Sequence, residues 1–137
     1  MQLKYAHLTD FATVGNNGKL ILVGIFSNIF DALKVKPIPF PQFHLVAVFE
    51  AHVTEGTEHK LTVRFVDGDG RPVIPEFHGP IKFKPTRKGR PMEGNVLIGF
   101  GPGTVKVPEH GDYEFRFQID DHDAGGVIVA VTPPVSG

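Results

Sequence analysis

Asp120, Asp121 and Asp123, with His122 among them, are the densest cluster of metal-capable side chains in the chain. Hard cations such as calcium need several carboxylate or carbonyl oxygens converging on one point, so this acidic run reads as a candidate metal site. The same residues also favour tight turns, where neighbouring side chains diverge, and their spacing matches no established ligand pattern. Asp67-Gly68-Asp69-Gly70 resembles the start of a calcium loop but lacks the distal glutamate, because the run continues Arg71-Pro72-Val73-Ile74. It reads as a hairpin turn.

Lys82, Lys84, Arg87, Lys88 and Arg90 surround Phe83 and form a local basic stretch. An exposed Phe83 there would stack on a base while the cations gripped phosphate. The alternation instead predicts Ile81 and Phe83 facing a core and the lysines facing water, which argues against nucleic acid as a partner. The histidines, His7, His44, His52, His59, His78, His110 and His122, are scattered, and none pairs with a glutamate at helical metal-binding spacing. Serine occurs only at Ser27 and Ser136, no nucleophile elbow exists, and Gly99-Phe100-Gly101-Pro102-Gly103 lacks the lysine and helix of a phosphate loop. That glycine run reads as a bulge or bend. No base, nucleophile or metal constellation assembles from spacing, so the chain reads as a non-enzyme that needs no cofactor.

Composition sets the frame for these groups. With 137 residues the chain fits one domain, residues 1–137, able to bury a core without metal or disulfides. There is no cysteine, which excludes thiolate chemistry and leaves a reducing cytoplasm as the expected compartment. Fourteen basic and fifteen acidic residues give a net charge of -1, so no global field recruits a polyanion. No apolar run approaches the length that spans a bilayer, and a membrane is not expected as a partner. Twelve Phe and no Trp make Phe the main large core residue, and abundant Gly and Pro supply turns.

The elements follow from periodicity. Tyr113, Phe115, Phe117 and Ile119 alternate with Asp112, Glu114, Arg116, Gln118 and Asp120, the period-two pattern of a half-buried strand. Residues 127–131 form its hairpin partner. A first hairpin runs from 3–14 through Asn16-Asn17-Gly18 to 19–26. Its second arm is apolar on both faces, which fits a strand covered on both sides or one at an oligomer contact. Residues 42–52 and 58–67 alternate as strands, and 95–100 resumes one. Repeated prolines between 72 and 91 predict short edge strands near Val73-Ile74 and 81–84. Between 27 and 36 the spacing of Ile29, Phe30 and Leu33 predicts a short helix before Pro37, Pro39 and Pro41.

Glu109-x-Gly111-x-Tyr113-x-Phe115 resembles the entry to the penultimate strand of immunoglobulin-like domains, where a tyrosine hydroxyl bonds back to the backbone. The resemblance implies an all-β immunoglobulin-like Greek-key sandwich with an added N-terminal hairpin, Tyr113 as corner residue, and 42–52 and 58–67 as early paired strands. A jelly roll is the alternative with the same strand count. The whole chain also resembles a family of small bacterial proteins of unknown function. Gly18-Lys19-Leu20, Gly24-Ile25-Phe26, Phe40-Pro41, Gly111-Asp112-Tyr113-x-Phe115 and Ile119-Asp120 carry that likeness, which implies fold without chemistry.

Residues 20–26 and 37–43 hold more apolar surface than a small core needs, and surplus apolar surface suggests a protein partner. The expectation is a binding or assembly module, with homo-oligomerisation through the N-terminal hairpin or an open edge as its simplest form. The alternative is a sandwich that holds a sugar or calcium at its loop end through Asp120, Asp121 and Asp123.

Overall fold

The computed structural model describes residues 1–134 and is all-β. Eleven strands occur among them: β1 Gln2–Val14, β2 Leu20–Phe26, β3 Asn28–Phe30, β4 Ile38–Pro39, β5 Phe43–Ala51, β6 Glu58–Val66, β7 Phe77–Lys82, β8 Met92–Phe100, β9 Lys106–Val107, β10 Gly111–Ile119 and β11 His122–Thr132. They form one sheet ordered β2-β1-β5-β8, a second ordered β3-β11-β10-β6-β7, and a two-stranded ladder β4-β9. The two large sheets enclose the core in a sandwich-like arrangement. No helix among the described residues is long and apolar enough to cross a membrane.

The alternation in β10 has the predicted consequence. Tyr113, Phe115, Phe117 and Ile119 are at most 3% exposed, while Arg116 and Gln118 lie on the opposite face. Phe115 meets Phe65 of β6 with ring centroids 4.4 Å apart, and Phe117 meets Phe49 of β5 edge-on at 5.3 Å, so one strand joins both layers. Each such ring contributes about 1.5–3 kcal/mol through burial alone. Tyr113 stacks on Phe65 and its hydroxyl donates to the Glu109 carbonyl at 2.7 Å.

The first hairpin forms as expected, with Phe11 opposite Val23 and Val14 opposite Leu20. It is more than an addition, because β1 also pairs along β5 from Gln2 opposite Glu50 to Thr9 opposite His44. Its second arm, β2, is an edge strand and is not covered on both faces, since Ile21, Val23 and Ile25 lie exposed on one of them.

Two expectations are corrected. Residues 42–52 and 58–67 do not pair: β5 lies between β1 and β8, and β6 lies between β10 and β7. Their connection carries a 3-10 turn, Val53–Glu55, capped by His52, which takes the chain from one layer to the other. The alternation picked out the core-facing residues of each strand, although Val46 and Val48 on the other face of β5 are buried as well, and it held no information about which sheet each strand joins. The helix expected between 27 and 36 is absent. Residues 28–30 instead extend parallel to β11, with Asn28 opposite Ala130 and Phe30 opposite Thr132. An isolated helical turn is marginal in water, whereas pairing with β11 satisfies backbone groups and buries Ile29. Of the two edge strands expected in the proline-rich stretch one forms, as β7 at Phe77–Lys82, whereas Val73-Ile74 make a bend outside any strand.

Candidate functional site

The acidic run sits on the β10-β11 hairpin. Asp120 and Asp121 occupy the turn with φ of 52° and 67°, left-handed conformations that Asp tolerates better than most residues. Asp120 and Asp123 turn to different neighbours. Asp120 faces His59 Nδ1 at 2.5 Å and accepts from the Lys60 amide at 3.0 Å. Asp123 pairs with Arg116 on the outer face of the second sheet. Among the described residues no group of three or more His, Cys, Asp or Glu is arranged to hold a metal ion.

His59 is the acidic turn's partner across the sheet. Its imidazole is 8% exposed, and the second ring nitrogen lies 2.9 Å from the Gly56 carbonyl. Both ring nitrogens therefore face acceptors, an arrangement satisfied when both carry protons. Burial pulls the His59 pKa down, but the hydrogen bonds to Asp120 and Gly56 and the Asp120 charge outweigh it and hold the pKa above the ordinary histidine value. Asp120 moves the other way: the Lys60 amide and then His59 lower its pKa. The direct contact, across 61 residues of chain, left no local signal.

The basic stretch presents no aromatic surface, since Phe83 is 1% exposed and packs with Ile81 in the core. The glycine run is a bend after β8, where Gly103 takes a φ of 73° and its amide bonds the Phe40 carbonyl.

The outer faces of the two sheets differ in chemistry. On the second sheet, Arg64 pairs with Glu76, Arg116 pairs with Glu114 and Asp123, and the Thr62 hydroxyl bonds His78. On the first, directly opposed residues share a face, so Ile21, Val23 and Ile25 stand with Phe11 and Thr9 on the side away from the core. Ile21, Val23, Ile25 and Phe11 are 48%, 53%, 57% and 49% exposed. The same side continues onto β5 through His44, Val46 and Val48, where Val46 and Val48 are buried, and onto β8 through Leu97, which is exposed. Phe11 covers His44 edge-on at 5.6 Å. Beneath this surface Thr9 Oγ1 and His44 Nδ1 are buried without a hydrogen-bond partner among the described residues.

The β2 edge belongs to this apolar surface. Leu20–Phe26 contains no charged residue and, among the described residues, pairs on one side only, so backbone donors and acceptors along its other side face outward. Sequence reasoning marked this run but missed Phe11, whose role follows only from its register opposite Val23. Gly24 breaks the strand with a φ of 70°, and a Cβ there would overlap the Asp10 carboxylate lying across it.

No curated protein matches the chain. Residues 4–132 match the family described as a family of unknown function, DUF6941, and the chain belongs to that family.

Proposed function

We propose that this chain is a non-enzymatic assembly module that associates with a second copy of itself through the apolar flank built by β1 and β2. The observation that carries this reading is the open β2 edge beside a row of half-exposed Ile21, Val23, Ile25 and Phe11. Folded proteins blunt exposed edges with charges, prolines, bulges or a covering segment, because an open edge pairs with other chains. On β2 only the Gly24 distortion interrupts the edge, and the strand's own residues carry no charge. Two copies related by a two-fold axis can meet edge to edge or face to face in a closed, isologous contact. The charged outer face of the second sheet stays toward water in that assembly.

The same reading takes the sandwich as immunoglobulin-like. The order β1-β5-β8 opposite β11-β10-β6-β7, the parallel addition of β3 to β11 and the Tyr113 corner bond all support it.

Size-exclusion chromatography with light scattering across a wide concentration range tests the function. A dimer or larger species that Val23→Lys shifts toward monomer is expected. A strict monomer at high concentration overturns the reading.

A further inference from the structure

An apolar groove of about 590 Å³ opens on the same flank, bordered by the end of β2, by β3 and by β4. Its floor is Ile29, Ile38 and Phe40, all at most 6% exposed, and its rim carries Phe30 and Leu33, which are 51% and 70% exposed. The volume lies in the range of pockets that bury a small ligand or one or two side chains, roughly 300–1,000 Å³.

Two carboxylates line the groove, and they differ in how they are used. Asp31 is committed inside the molecule: it accepts from the Lys34 amide at 2.9 Å and faces His110 Nε2 at 3.1 Å. Asp10 lies over Gly24 and takes part in no ion pair among the described residues. The groove therefore suits an apolar side chain accompanied by a cation.

The chain carries that combination beside the groove itself. Residues 33–36 read Leu-Lys-Val-Lys, with Leu33 and Val35 70% and 47% exposed. Lys34 and Lys36 join no ion pair among the described residues. Because Leu33 belongs to the groove's rim, a two-fold axis through that rim sets each copy's 33–36 loop over the other copy's groove.

We infer that two copies dock reciprocally, each seating Leu33 and Val35 in the other's groove and setting Lys34 or Lys36 against the other's Asp10. This rests on the self-association reading and names the contact that fixes its geometry. The apolar side chains supply the buried area, and the charges on the rim set orientation and specificity.

A charge exchange tests it, read by sedimentation of the whole chain. Asp10→Lys alone, and Lys34→Asp with Lys36→Asp alone, each place like charges together at both ends of a homodimer. Each is expected to dimerise at least about tenfold more weakly. An equimolar mixture of the two meets opposite charges at both ends and is expected to form a one-to-one heterodimer of native affinity. Asp at position 34 suits its φ of 52°, so that exchange does not strain the backbone. Leu33→Glu, at a position with little burial, is expected to weaken association by a similar factor. Native dimerisation by any of these variants, or a mixture that fails to recover, overturns the inference while leaving self-association in place. A native chain that stays monomeric removes both.

Discussion

The Tyr113 hydroxyl donates to the Glu109 carbonyl across 2.7 Å and fastens the entry of β10 to the preceding loop. The ring itself is 3% exposed and stacks on Phe65. Tyr113→Phe keeps the ring and removes the bond, leaving one part-buried carbonyl without that donor. Urea denaturation is expected to report a loss of about 0.5–1.5 kcal/mol. No loss at all would mean the hydroxyl is equally well served by water.

His59 and Asp120 give stability a pH dependence of defined sign. His59 has a raised pKa in the fold, so its contribution is fully present below the unfolded value near 6.5 and declines as pH rises through the folded value. Asp120 has a lowered pKa, so its contribution is present above the unfolded value near 3.8 and declines as pH falls through the folded value. The pair therefore favours the fold most between those two unfolded values. Melting temperature followed across pH is expected to fall above neutrality less steeply in His59→Gln than in the native chain. Parallel curves for the two proteins would refute the assignment.

Thr9 is fully buried and its hydroxyl has no partner among the described residues. Burying an unpaired hydroxyl costs about 1–3 kcal/mol, and valine has nearly the same shape. Thr9→Val is expected to stabilise the chain by about 1 kcal/mol in chemical denaturation. A destabilised variant would point to a hydrogen bond that the hydroxyl makes in solution.

Gly24→Ala strains the backbone at a φ of 70° and drives a Cβ into the Asp10 carboxylate. The expected cost is about 1–3 kcal/mol for the conformation alone, with a further penalty from the overlap. Adding Asp10→Ala is expected to recover only the second part. A double-mutant cycle measured by denaturation separates the two, and zero coupling would show that the carboxylate simply moves aside.

How far the sequence spoke depends on how local each cause is. The burial of Tyr113, Phe115, Phe117 and Ile119 was legible because alternation is a property of the strand itself, and the Asn16-Asn17-Gly18 turn was legible because its geometry is encoded in adjacent residues. The β3 strand was hidden because its partner Ala130 lies far along the chain, and the spacing of Ile29, Phe30 and Leu33 fits a helical turn equally well. The separation of β5 from β6 was hidden because alternation is blind to which sheet a strand enters. At the candidate site, residues 20–26 announced surplus apolar surface, but the partnership with Phe11 depends on register. The acidic run was visible as a cluster, while its division between His59 and Arg116 depends on contacts from other strands.

The parallel contact between Asn28 and the strand that reaches Thr132, 104 residues later, has a consequence for biosynthesis. A nascent chain leaving the ribosome can close the β1-β2 hairpin early, but β3 has nothing to lie against until β11 has emerged. The outermost position of that layer is thus filled late, and the oily β2 margin waits beside an unfinished neighbour until β11 has been made.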